Sequence, residues 1–125
     1  MNDRFTDNKD GTISDHKTGL IWQRSDDGKV RNCADANQYC EDLVLGGYSD
    51  WRLPRIDELF SIIDYSRYGP AIDPVFDCRS YDYWSNTSCV DYPLDAWLVG
   101  FYSGLVGANF KTSYNTCVRC VRGGP

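Results

Sequence analysis

Six cysteines and a single histidine are the side chains here with the most chemistry to offer. A zinc site needs thiolates and imidazoles in close sets. The only imidazole, His16, stands alone in a turn-like Asp15-His16-Lys17-Thr18-Gly19 stretch. Cys117-Val118-Arg119-Cys120 is formally a CxxC motif. A redox dithiol wants that spacing at a helix N-terminus, where the thiolate is stabilised, and here it lies in a strand-like segment. An even set of cysteines without metal spacing reads instead as a disulfide framework (Cys33, Cys40, Cys78, Cys89, Cys117 and Cys120). Such a framework places the protein in an oxidising setting: secreted, periplasmic or at the cell surface. The bare sequence leaves the connectivity open.

Other catalytic arrangements are missing from the sequence. A Ser-His-Asp set would have to use His16, and no nucleophile-elbow motif occurs. Carboxylates abound, yet none sits in a motif that would push two pKa values apart. No glycine loop is built to cradle phosphate. The expectation is a protein that is not an enzyme and carries no cofactor or metal. Two acidic stretches bear on calcium. Asp7-Asn8-Lys9-Asp10-Gly11 resembles a calcium loop only superficially, because the first ligand position falls on Thr6 and the twelfth on Lys17. A tight turn explains it better. Asp91 and Asp95 remain the acidic pair that could hold calcium.

Charge narrows the partners. With 18 acidic against 13 basic residues, net −5, the chain lacks the basic face that nucleic acid requires. The same balance weakens a strongly sulfated partner. Nine tyrosines and four tryptophans point elsewhere. Flat rings stack on sugar faces, while amides and carboxylates bond to hydroxyls. The candidate ligand-binding residues cluster late in the chain: Tyr81, Asp82, Asp91, Tyr92, Asp95, Tyr102, Asn109, Lys111, Tyr114 and Asn115. The competing reading is that several of these tyrosines close a small core with their hydroxyls outward. Trp22, Trp51, Trp84 and Trp97 are expected in the core.

The elements that would position these groups are organised around residues 51–63. Trp51-Arg52-Leu53 reads as a short strand ending at Pro54. Ile56, Leu59, Phe60 and Ile63 then recur with helical spacing, with Asp57 and Glu58 in the first turn. Asn32 offers an N-cap to an earlier helix whose face carries Cys33, Ala36, Cys40 and Leu43, ending at Gly46-Gly47. Arg4-Phe5-Thr6 and Thr12-Ile13-Ser14 form a hairpin around the Asp-Gly turn, and Leu20 to Gln23 a buried strand. A long loop follows from about Asp64 to Asp82. Strands are expected at Tyr83–Asn86, Ala96–Tyr102, Phe110–Thr112 and Cys117–Arg122. In a regular strand Cys117 and Cys120 would face opposite sides, so a bulge intervenes or Cys117 precedes the strand. The order is α+β with an antiparallel sheet, one domain over 1–122 and a tail at 123–125. No apolar run approaches ~20 residues, so no membrane insertion is expected. The start, Met1-Asn2-Asp3-Arg4, does not read as a signal peptide.

Five ordered motifs carry a resemblance: Phe5-Thr6-Asp7-Asn8 with Asp10-Gly11-Thr12; Thr18-Gly19-Leu20-Ile21-Trp22-Gln23; Trp51-Arg52-Leu53-Pro54 with Glu58-Leu59; Tyr83-Trp84-Ser85 and Ala96-Trp97; and Val118-Arg119-Cys120-Val121-Arg122. Together they resemble the bacterial domain family named after the C-terminal domain of the Legionella collagen-like adhesin. Arg55 departs from it, standing where a capping Thr or Ser is more usual. The resemblance implies a C-type-lectin-like fold of the formylglycine-generating-enzyme branch, with two helices flanking a small twisted sheet and long loops. It implies a tie between the first helix and the last strand, Cys40–Cys120. Beside it go Cys78–Cys89 across the long loop and Cys33–Cys117. The calcium-lectin triplets and the copper-binding cysteine pair of related proteins have no counterpart here. What the resemblance implies for function is a non-catalytic, adhesin-like extracellular recognition module for a glycan or glycosaminoglycan, as a homotrimer if it tips a stalk. The alternatives are a domain binding a surface protein, among them a variable-loop receptor, and a structural domain of a larger surface protein.

Overall fold

The computed structural model describes residues 4–78 and 81–123. The Met1-Asn2-Asp3 start and the Gly124-Pro125 end of the expected tail lie outside the described residues. The architecture is α+β with two sheets and two helices. Strands β1 (Phe5–Asp7), β2 (Thr12–Asp15), β3 (Ile21–Gln23) and β7 (Val121–Arg122) form one antiparallel sheet in the order β1-β2-β3-β7. Strands β4 (Asp82–Ser88), β5 (Asp95–Gly100) and β6 (Leu105–Phe110) form a second, three-stranded one. The expectation of a single sheet is thereby refined to two. The helices are α1 (Cys33–Asp42) and α2 (Ile56–Ser61). Among the described residues, no helix is long and apolar enough to cross a membrane.

Two apolar clusters make the core, and the β4–β5 pair contributes to both. Tyr83 and Val99 join the first cluster with Trp22, Leu59, Ile62 and Phe101. Their neighbours Trp84 and Leu98 join the second with Cys33, Ala36, Cys40, Trp51 and Leu53. Successive strand residues face opposite ways, so this pair is buried on both faces. Trp22, Trp51 and Trp84 are core residues as expected, but Trp97 is 37% exposed. In the β5–β6 register it stands opposite Ala108.

Local chemistry explains where the helices begin and end. Asn32 caps α1 by accepting the Asp35 N–H at 2.8 Å. The helix stops at Asp42, before Gly46-Gly47, because Leu43 is already extended. The two glycines serve a different turn. With φ of +61° and +82° they close a two-residue hairpin between Leu45 and Tyr48, which exchange hydrogen bonds of 3.0 Å. Helix α2 has only six residues, too short for the Ile56-to-Ile63 stripe. Leu59 and the C-cap residue Ile62 are buried apolar residues, and Phe60 is exposed against Tyr65. No Thr or Ser precedes it, yet its first donors are satisfied. Glu58 accepts the Arg55 N–H at 2.7 Å, and Thr87 from β4 accepts the Ile56 N–H at 3.0 Å. The cap comes from across the fold.

The closing segment also differs from a regular strand. Only Val121 and Arg122 pair in a ladder, and residues 116–121 are buried without alternation. Cys117 precedes the strand and pairs beside Tyr83. Arg119 is fully buried, its guanidinium donating to the carbonyls of Gln23, Arg24 and Asp77 at 2.6–2.8 Å. It stacks near Phe76 and Tyr83 as well. One side chain thus ties the end of the chain to β3 and the long loop. Arg52 does similar work: its backbone pairs with Val121 and its guanidinium grips Glu58 through two 2.8 Å bonds.

Cys40 and Cys120 form a disulfide that links α1 to the closing segment. Cys33 and Cys89 are buried thiols, so neither Cys33–Cys117 nor Cys78–Cys89 is formed. The reason is placement. Cys33 opens α1 and bonds through its N–H to the Lys111 carbonyl, whereas Cys117 lies beside Tyr83 and Trp84. Cys89 bonds to Asp95 at the start of β5, away from the Tyr83 and Arg119 side chains that Cys78 meets.

Candidate functional site

The ten candidate ligand-binding residues do not form one surface. Three of them, Asp82, Tyr102 and Asn109, line a single groove of about 480 Å³ over the β5–β6 pair. Its floor is Leu98 with Gly100 and Gly107, two residues whose missing side chains create the depression. A Cβ on Gly100 would come within 2.8 Å of the Asp82 carboxylate, so that carboxylate lies directly over the strand. A Cβ on Gly107 would meet Leu98 at an ordinary 3.6 Å.

Each wall is positioned by backbone bonds elsewhere. Tyr102 sits in the turn after β5, which the long loop holds at two points. Ala71 N–H donates to the Phe101 carbonyl at 2.6 Å, and Gly69 N–H to the Tyr102 carbonyl at 2.7 Å. The Tyr102 ring is 60% exposed and lies 6.4 Å from that of Tyr68, centroid to centroid. Asn109 is fixed by its own neighbours. Its amide nitrogen donates to Asn115 at 2.9 Å, and its oxygen accepts from Phe110 N–H and the Ser113 hydroxyl. Asn115 is therefore a support for Asn109 behind the groove.

The remaining candidates are spread around the fold. Lys111 donates to the Ser88 hydroxyl at 2.7 Å. Asp91 and Tyr92 are exposed on the turn before β5, which is closed by Asp95 N–H donating to the Tyr92 carbonyl. Tyr114 lies in another recess, with Val30, Tyr39 and Val44 of the α1 side. Tyr81 is exposed, its carbonyl accepting from Phe101. Among the described residues, no three His, Cys, Asp or Glu side chains converge as a metal site would require.

Sequence reasoning missed the aromatic margin beside the groove. Tyr68 is 78% exposed next to Tyr102, and Tyr65 donates to the Gly104 carbonyl at 3.2 Å while meeting Phe60 edge-on. Exposed rings inside the long loop were the available signal, since a core explanation fits poorly there. Among the described residues, Asp82 is the only charged side chain lining the groove. With Asn109 and Tyr102 it offers hydrogen-bond acceptors, one amide and a ring face.

A family model for the Lcl C-terminal domain matches residues 11–122. The chain belongs to that family. The match spans both helices, every strand except β1, and the whole groove. No curated protein matches the chain.

Proposed function

We propose that the domain is a non-catalytic recognition module of a bacterial surface or secreted protein that binds a glycan in the β5–β6 groove. Membership of the Lcl C-terminal domain family supports the surface, adhesin-type setting and the C-type-lectin-like reading of the fold. The buried Cys40–Cys120 disulfide fits an oxidising compartment. The observation that carries the ligand class is the grouping of Tyr102, Asp82 and Asn109 over a floor of two glycines. A ring to stack on, an acceptor and a fixed amide are the groups that read a hydroxylated ring.

Charge selects within that class. With Asp82 as the charged group among the described residues of the groove and a net charge of −5, a neutral sugar fits better than a sulfated glycosaminoglycan. The test is a glycan array with neutral and sulfated polymers, in calcium and in EDTA. Binding to a neutral class, unchanged by EDTA, is expected. Preference for sulfated chains would move the site away from this groove, and EDTA sensitivity would assign a metal to the acidic loops. Silence across the array would favour a protein partner, for which the exposed Tyr65, Tyr68 and Tyr102 rings are the contact surface.

A further inference from the structure

We infer that the β6 edge is a contact between two copies of this chain, paired antiparallel about a two-fold axis. Strand β6 pairs with β5 on one side, and its other side is the open edge of the three-stranded sheet. The register tells which groups face outward. Lys111 N–H donates to the Leu94 carbonyl, so in the same ladder Asn109, Gly107 and Leu105 turn towards β5. Val106, Ala108 and Phe110 turn away from it. The Phe110 N–H is taken by the Asn109 side chain, and its carbonyl accepts from Ser113. Among the described residues nothing of this kind serves the outward N–H and C=O groups of Val106 and Ala108, and both residues are exposed. Edges left open in this way template strand addition, and proteins ordinarily block them with charge, proline or a bulge. Here none of those devices is present: no charged or proline residue occurs from Ala96 to Phe110, and the β5–β6 register is continuous.

The strand's own order argues for a second copy rather than a foreign strand. With the two-fold axis through Gly107, Val106 meets Ala108 of the partner, Leu105 meets Asn109, and Gly107 meets Gly107. Val106 faces the smaller Ala108, the two glycines let the strands approach closely, and the outward groups of Val106 and Ala108 fall opposite each other as a bonded pair. A chain of net charge −5 repels itself over most of its surface, and this charge-free strand is where it can approach a copy. Val106 is 40% exposed, and Leu105 and Phe110 more so, which supplies the apolar flank. The contact is short. It falls below the ~1,600 Å² of a standard interface, so dissociation on the order of 10–100 micromolar is expected.

Sedimentation equilibrium of the full chain, from about 10 micromolar to about 1 mM, tests this. The expected result is a monomer–dimer equilibrium that Val106→Lys abolishes by setting charge into the pairing. Ala108→Pro should do the same, because it deletes an outward donor that the β5 ladder does not use. A monomer throughout, a trimer, or a dimer that survives both substitutions overturns the inference. Should either variant misfold by circular dichroism, amide exchange on the unaltered chain decides. Val106 and Ala108 amides must gain protection as concentration rises, and concentration-independent exchange refutes the pairing.

Discussion

Replacing both Cys40 and Cys120 by alanine should remove a large share of the domain's stability. The disulfide joins residues 80 positions apart, so its loss frees most of the chain in the unfolded ensemble. The loop-entropy relation gives about 15 cal/mol/K for a loop of that size, or about 4.5 kcal/mol at about 25 °C. Both residues are fully buried, and alanine avoids leaving a hydroxyl without a partner there. Measured losses for natural disulfides run ~2–5 kcal/mol, against a typical total of ~5–15. Urea unfolding followed by tryptophan fluorescence reads the difference. With m near ~1.5–2 kcal/mol/M, the midpoint should fall by about 2–3 M, and m should rise as the unfolded chain expands. A midpoint within about 0.5 M of the unaltered protein would refute the reasoning, since the crosslink would then constrain nothing that folding must close.

Three further outcomes follow from the same contacts. Thr87→Val removes the hydroxyl that caps α2 from β4 and should cost about 1 kcal/mol in the same assay; an unchanged midpoint would show that water caps Ile56 equally well. Burial would raise the Glu58 pKa, but two bonds from Arg52, the Arg55 N–H and both guanidinium charges hold it below its ordinary range. Asp15 is likewise depressed against its burial by Arg4 and Thr18. Depressed carboxylates stabilise fully above their unfolded pKa values, so stability should be flat above about pH 5 and fall as pH drops through 4 and below. Glu58→Gln should lower stability at neutral pH by about 1–3 kcal/mol, tempered because Arg52 is partly exposed, and should flatten that acid loss; an equal slope in both proteins would place the acid sensitivity elsewhere. Burial pushes the Cys33 and Cys89 thiols upward. Neither should react with a thiol reagent at pH 7 until the chain unfolds, and fast labelling of either would contradict its burial.

Much of the fold was legible because short-range rules governed it. Asn32 caps α1, the Asp10-Gly11 turn closes a hairpin, and Tyr83 to Asn86 forms a strand, each set by neighbours in sequence. Three features depended on distant partners instead. The α2 start is capped by Thr87, 31 residues away. Arg119 reads as the polar half of an alternating strand, yet it is drawn inside by three carbonyls from other segments. Strand β6, Leu105–Phe110, begins ahead of the expected Phe110–Thr112 strand because Gly107 and Ala108 have little β preference, and pairing with β5 overrides that. The candidate site was legible in residue type and not in grouping. Asp82, Tyr102 and Asn109 come from three elements, and only the β4–β5–β6 register brings them together. Asp91, Tyr92 and Tyr114 share their composition but face elsewhere.

Binding of a neutral glycan in the β5–β6 groove can be decided by one titration. The best neutral binder from an array is titrated calorimetrically into the unaltered chain, Tyr102→Ala and Asp82→Asn, with thermal unfolding as a control. Both variants should keep their melting temperature within a few degrees and lose at least about tenfold in affinity, about 1.4 kcal/mol. Unaltered affinity in two folded variants would contradict binding in this groove.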